Sequence, residues 1–325
     1  FLTGVFNLDV QSPEVTFKRG ERALRSLLAA KPASDLGRLT KALFGEELGV
    51  ERLPGREVTF IDEALNEPQR EAVRQGLLVE PAALIHGPPG TGKTRTLVEV
   101  VRQFVAQEQR VMVTAASNAA VDNLAERLIE AGVAVVRIGH PARVAPAVES
   151  RTLDALLEAR PDFALARKWM DEANAIRRRT FARSDRGSLS RAARRDALSE
   201  ARRLMSDARN HLRGIEDAII ASASVVACTA AGADSAVLGD RTFDVVVVDE
   251  ATQSPDPITA VAILRAPRTV LAGDPHQLPP TILDPEVARA GLGVTLFERH
   301  ATSASLLTVQ HRMHELIMRF LSLIH

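Results

Sequence analysis

Gly87-Pro88-Pro89-Gly90-Thr91-Gly92-Lys93-Thr94 follows a short apolar run, Ala82 to Ile85, and precedes a segment of helical character, Thr94 to Glu108. The spacing is that of G-x-x-x-x-G-K-[ST], and a strand before it with a helix after it is the setting that pattern requires. Glycines let consecutive backbone N–H groups curve around phosphate oxygens, and the N-terminus of the next helix adds the positive end of its dipole. Lys93 is then placed to reach the β and γ phosphates, and Thr94 to offer its hydroxyl to Mg²⁺. Lysine occurs only at Lys18, Lys31, Lys41, Lys93 and Lys168, arginine supplying every other cation, so a compact ammonium kept in this turn supports a point-charge role. The plain alternative, a glycine turn that merely caps a helix, does not require this order of flanking elements.

Outward from the turn, strand-like and helical segments alternate. A helix from Glu67 to Leu78 precedes it; strand Val111 to Thr114, helix Ala119 to Ala131 and strand Ala134 to Ile138 follow. Alternation at this spacing predicts an α/β fold built on a parallel sheet. Strands resume at Val225 to Cys228, Val245 to Val248 and Thr269 to Leu271, with a last apolar stretch from Ser305 to Val309. Four consecutive valines, Val245 to Val248, read as a strand buried on both faces, and they deliver Asp249-Glu250 at its C-terminal end, where open α/β sheets place their ligands. Two adjacent carboxylates there suit different tasks. Asp249 holds the metal, and Glu250 orients and deprotonates an attacking water.

The region from Thr152 to Ile220 is helical throughout and contains no strand-like run, so it reads as an insertion. Leu198, Ala201, Met205, Ala208, Leu212, Ile215 and Ile219 step three and four residues apart. That is a heptad-like seam, for which Phe163, Ala166, Trp169 and Ala173 offer the facing helix and Ser184 to Ser190 the turn. Residues 1–60 read as an appendage: a strand-like opening, a helix from Phe17 to Ala30, another from Leu36 to Leu48, and the Pro54-Gly55 break. The expected division is therefore an appendage over 1–60, an α/β core over 61–150 and 221–310 and a helical stalk over 151–220, with 311–325 lying beyond the core.

In 325 residues, 46% hydrophobic and 25% charged, forty-one basic side chains balance forty-one acidic ones, so attraction for a polyanion must come from local patches. One such patch lies between Arg177 and Arg213, where twelve arginines face four acids. Two readings stand for it: a phosphate-binding stalk with salt-dependent affinity, or a coiled-coil hairpin whose arginines are its solvated face. A single cysteine, Cys228, excludes an internal disulfide, and no apolar run reaches the about 18 residues a membrane span needs. A reducing, cytosol-like compartment, or a nucleus, fits this usage, with no membrane partner. The chain begins at Phe1 and its last residues read as an unfinished helix, so it is expected to be a piece of a longer protein.

Asp249-Glu250-Ala251-Thr252-Gln253 resembles the second motif of superfamily 1 helicases of the nonsense-mediated-decay branch. Other motifs of that family follow in order. Leu65-Asn66-Glu67-Pro68-Gln69 resembles the adenine-reading Q motif, and Ala115-Ala116-Ser117-Asn118-Ala119-Ala120-Val121-Asp122-Asn123-Leu124 the strand-contacting motif. Gly273-Asp274-Pro275-His276-Gln277-Leu278-Pro279-Pro280-Thr281 resembles motif III, and Gln310-His311-Arg312-Met313-His314 the entrance to the second motor domain. Arg137-Ile138-Gly139-His140-Pro141-Ala142-Arg143, with Val15-Thr16-Phe17, is most similar to the immunoglobulin-μ-binding subfamily. His311 stands where the family usually has Tyr, and Ala116 where it has Pro, so adenine stacking at the first is expected to be weaker or pH-sensitive.

The resemblance implies a RecA-like P-loop NTPase sheet that uses ATP and Mg²⁺ to move 5′ to 3′ on single-stranded DNA or RNA. It implies that Gln69 hydrogen-bonds adenine, that Gln277 senses the γ-phosphate and that Arg312 approaches that phosphate. It implies also that Ser117, Asn118 and Thr229 contact the nucleic-acid backbone. A side-chain amide can pair with adenine's donor and acceptor together, and a guanidinium can neutralise a transferring phosphoryl group. For Gln69 an exposed helix glutamine, and for Ser117 a helix cap, remain as alternatives. Further catalytic arginines would lie in a second RecA-like domain, so residues 1–325 alone are expected to bind nucleotide, as a monomer, and turn it over poorly. A rival of another class is a nucleotide-gated clamp that binds nucleic acid with little hydrolysis; a nucleotide kinase would need a lid and an acceptor pocket in place of Gln277 and residues 310–312. DNA and RNA are not distinguished by these motifs.

Overall fold

The computed structural model describes residues 14–45, 48–54, 57–181, 190–282 and 284–311. Helices α1 (Glu14–Leu28) and α2 (Asp35–Phe44) come first, then β1 (Glu51–Arg52), α3 (Glu67–Leu78), β2 (Val79–Glu80) and β3 (Ala82–His86). Next are α4 (Lys93–Ala106), β4 (Val111–Ala115), α5 (Asn118–Glu130) and β5 (Val135–Arg137). The chain then leaves the sheet for α6 (Leu153–Glu158), α7 (Phe163–Phe181) and α8 (Arg191–Ser222). It returns through β6 (Val225–Thr229), β7 (Val245–Asp249), α9 (Asp256–Ile263) and β8 (Arg268–Gly273), and closes with α10 (Pro285–Val287), α11 (Leu296–Arg299) and β9 (Ser305–Leu306).

Seven strands form one parallel sheet in the order β5-β6-β4-β7-β8-β3-β9, the α/β arrangement of a RecA-like P-loop fold. The valine strand sits at its centre. Val245 and Val247 join the apolar layer of Ile85, Val113, Ala227 and helices α3 to α5, whereas Val246 and Val248 join Met112, Cys228 and Leu271 on the other face. Both faces being covered, the period-two alternation of a strand needs apolar residues at every position, which is why a polar-free run marks it. Each buried valine contributes roughly 1.5–3 kcal/mol, so β7 is held firmly and fixes where Asp249 lies. Parallel pairing brings all strand C-termini to one edge: His86 is level with Gly273, and Ala115 with both Thr229 and Asp249.

Several expectations are corrected by packing. The helices over residues 14–44, expected in an appendage, share the sheet's core: Leu39 and Leu43 are fully buried in the layer that holds Val246, and α1 lies close enough to α9 for a Cβ at Gly20 to come 2.8 Å from Pro257. Helix α2 stops at Phe44 instead of Leu48, its end capped by the Gly45 N–H on the Lys41 carbonyl. Helix α9 was not anticipated, because its final residues, Thr259 to Ile263, are all buried and leave no 3.6-residue alternation to read. The seam of the inserted hairpin is narrower than the heptad reading. Ala201, Ala208 and Ile215 are buried, as are Ala166, Ala173 and Thr180, whereas Leu198, Met205 and Leu212 are half-buried. One small residue per two turns lets α7 and α8 approach closely and pushes the longer side chains to the rim. The turn expected at Ser184 to Ser190 lies outside the described residues except for Ser190, whose hydroxyl accepts the Ala193 N–H as N-cap of α8. Among the described residues no helix is long and apolar enough to cross a membrane.

Candidate functional site

Between β3 and α4 the glycine turn folds back on itself. Thr91 Oγ1 donates to the Pro88 carbonyl at 2.7 Å, and the Gly87 N–H to the Gly273 carbonyl at the end of β8. Gly90 and Gly92 have φ of 81° and 85°, in the region open to glycine at little cost. A Cβ at Gly92 would stand 2.3 Å from Gln69 Nε2, and one at Gly87 2.6 Å from Lys93 Cβ, so these glycines serve close approach as well as conformation. Gly92 is the N-cap of α4 and has no side chain to cap with, so the first turn keeps its backbone N–H groups open toward the loop.

Lys93 is 8% exposed and its Nζ lies 2.6 Å from Glu250 Oε1 and 3.3 Å from Asp249 Oδ1. Two segments more than 150 residues apart in sequence thus meet through one ammonium. Burial alone would lower its pKa, but the two carboxylates outweigh burial and hold it above the ordinary lysine range. Asp249 is 2% exposed, and its Oδ1 accepts the Glu250 N–H at 2.9 Å. Glu250 adopts φ 52°, ψ 42°, a left-handed conformation that costs a non-glycine residue roughly 1–2 kcal/mol and turns its carboxylate sideways off the strand axis. Its Oε2 accepts from Gln253 Nε2. Thr94, in the first turn of α4 and half-buried, follows Lys93 directly.

The remaining candidates are placed as follows. Gln69 is buried with both ends of its amide engaged. Oε1 accepts the Asn66 N–H in a capping box, and Nε2 donates to the Thr91 carbonyl, so this glutamine braces the glycine turn against α3. Gln277 Nε2 donates to Asp274 Oδ2 at 3.0 Å. Ser117 is the N-cap of α5, its oxygen accepting the Ala120 N–H, which leaves its O–H proton to donate elsewhere. Thr229 caps the turn that follows β6 in the same manner. Asn118 Oδ1 accepts from Arg137 Nη2. Ser117, Asn118 and Thr229 all lie at the strand edge that carries the glycine turn. Arg312 lies outside the described residues. Its neighbour His311 reaches the turn, its N–H donating to the Gly90 carbonyl at 2.8 Å and its Nε2 receiving Asn66 Nδ2 at 3.0 Å. Cys228 is a core residue, its thiol pushed up to about 12 by burial.

Two polar clusters, one partly and one fully buried, are not legible in the sequence. His86 Nε2 lies 3.1 Å from Asp274 Oδ1, and Arg137 Nε donates to Asp122 Oδ1 at 2.6 Å. The first pair joins residues 188 apart in sequence, and only the strand order, which sets His86 level with Gly273, could have found it. Burial pushes the Asp274 carboxyl up, but hydrogen bonds from His86, Gln277 and the His276 N–H pull it further the other way, to about 2 from the ordinary 3.8. A carboxylate with a depressed folded pKa contributes stability that is complete above its unfolded value and is lost as pH falls through the folded one. Acid unfolding should therefore show a loss of roughly 2 kcal/mol between about pH 4 and pH 2, absent from Asp274→Asn. Equal acid sensitivity in the two proteins would show that this carboxylate is not held as described.

The family model described as AAA domain matches residues 64–285. DNA-binding protein SMUBP-2 of Mesocricetus auratus is 38% identical over 95% of this chain and 32% of its own length. DNA polymerase alpha-associated DNA helicase A of Schizosaccharomyces pombe is 35% identical over 81% of this chain and 39% of its own. ATP-dependent helicase upf1 of the same yeast is 32% identical over 97% of this chain and 33% of its own. The chain thus spans about a third of the length of the curated relatives it matches.

Proposed function

The chain belongs to the AAA domain family, and from that premise we propose that it is the ATP-hydrolysing motor half of a nucleic-acid helicase that moves along single-stranded DNA or RNA. The observation that carries this reading is the meeting of Lys93 with Asp249 and Glu250. Cation, metal carboxylate and base stand at one strand edge, beside Ser117, Asn118 and Thr229.

Triphosphate binding would draw Lys93 from the carboxylates onto the β and γ phosphates, since a phosphate offers it more negative charge than the acids do. The freed Glu250 can then accept a proton from the attacking water. Gln69 keeps the Gly90–Gly92 turn in shape from behind, and Gln277, steered by Asp274, stands ready to sense the γ-phosphate. Thr94 and Asp249 supply only oxygen donors, the set that suits Mg²⁺ with phosphates and waters completing its shell; the ion would neutralise charge on the transferring phosphoryl group. Arg312 would approach from the second motor domain, 5′ to 3′ movement following the family pattern. The reading includes a monomer working in a cytoplasmic or nuclear compartment.

The experiment is phosphate release by the full-length protein with and without single strands, DNA and RNA in parallel. Stimulation by either strand is expected. A rate unchanged by both would remove the motor reading.

A further inference from the structure

Arg137 is fully buried at the C-terminal end of edge strand β5, and it is the first residue of the Arg137 to Arg143 motif that phosphate chemistry leaves unused. Its guanidinium spends its fork on three groups. Nε donates to Asp122 Oδ1 at 2.6 Å, Nη1 to the Ile138 carbonyl at 2.5 Å, and Nη2 to Asn118 Oδ1 at 2.9 Å. Gly139 and Ala145 crowd the pair. A Cβ at Gly139 would stand 2.8 Å from Nη1, and the other Asp122 oxygen accepts the Ala145 N–H at 2.8 Å, closing the loop over the pair.

An arginine can only donate, so the atom of Asn118 that faces it must be the carbonyl oxygen. This fixes the orientation of the side-chain amide, and the NH₂ group is left as the end that can donate to another partner. Asn118 is the first residue of α5 and comes three residues after Ala115, which is level with Asp249 on one side and Thr229 on the other.

We infer that Arg137 is a positioning residue for strand binding, fixing the Asn118 carboxamide so that its N–H groups are presented to the backbone of a single nucleic-acid strand. The inference rests on the motor reading above. The Asp122 carboxylate has a separate task, to neutralise the guanidinium, so the two halves of the cluster can be separated by mutation. Arg137→Lys keeps a cation beside Asp122 but has no fork with which to reach Asn118.

The test is a double-mutant cycle in the full-length protein, with a fluorescein-labelled oligothymidylate read by fluorescence anisotropy and ATP half-saturation measured alongside. Arg137→Lys should weaken strand binding about tenfold, the worth of one charge-assisted hydrogen bond, without moving ATP half-saturation. Asn118→Ala should weaken binding by a similar factor, and the double variant by no more than either alone. Asn118→Asp, which keeps the acceptor for Arg137 but loses the donors, should bind as poorly as Asn118→Ala and melt like the unmodified protein. Factors that multiply in the double variant would overturn the inference, as would an Arg137→Lys defect that moves strand binding and ATP half-saturation together. An unmodified protein that fails to bind the strand would instead sink the motor reading itself.

Discussion

Glu250→Gln should slow phosphate release about a thousandfold while nucleotide still binds. The substitution keeps size and keeps an oxygen for Gln253, but it removes the group able to take a proton from water and one of the two charges that hold Lys93. With that charge gone, Lys93 is released to phosphate more readily, so affinity for ATP should stay level or rise. Lys93→Ala should do the opposite, since nothing else in the turn supplies a positive side chain and no other cation among the described residues pairs with Asp249 and Glu250. Fluorescent-nucleotide binding and single-turnover phosphate release separate the two outcomes. Full hydrolysis by Glu250→Gln would mean that water is activated from elsewhere.

Asp122→Ala should cost about 3–5 kcal/mol of stability, because it strands the Arg137 guanidinium in the core. Arg137 and Asp122 are both buried, so the pair is strongly coupled, and the loss of one partner exposes the full desolvation cost of the other. Replacing both by apolar residues, Asp122→Leu with Arg137→Met, should recover most of that stability. The surface pair Arg127–Glu130, more than half exposed on both sides, sets the contrast: Glu130→Ala should cost under about 1 kcal/mol. Urea midpoints measured on the four proteins decide the matter. A mild Asp122→Ala would show that water reaches Arg137 and that the cluster is less tightly built than its distances say.

What could be read from the sequence was the part written locally. Four valines announce β7 because a strand covered on both faces has no polar positions, and the glycine turn announces itself because phosphate-sized curvature needs residues without Cβ atoms. Together these located Lys93, Thr94, Asp249 and Glu250. Contacts between distant segments were not legible. Nothing local marks Arg137, Asp122 or His86 as a member of a buried pair, since each is defined by a partner that only tertiary packing brings near. Helix α1 hid its role for a related reason: its buried side is made of Gly20, Ala23 and Leu27, too small a set to declare a core face. At Ser117 the two readings are not exclusive, since a hydroxyl that accepts the Ala120 N–H still has its proton to give.

The fastening of His311 to Gly90 and Asn66 has a mechanical meaning. Asn66 uses its oxygen to cap α3, so it offers only N–H to the imidazole, and the ring must receive with a bare nitrogen. A pull on the chain at His311 therefore reaches the tip of the glycine turn through one main-chain tether and the cap of α3 through one ring tether. On the proposed reading, movement of a second motor domain would be felt at the glycine turn as a change in grip.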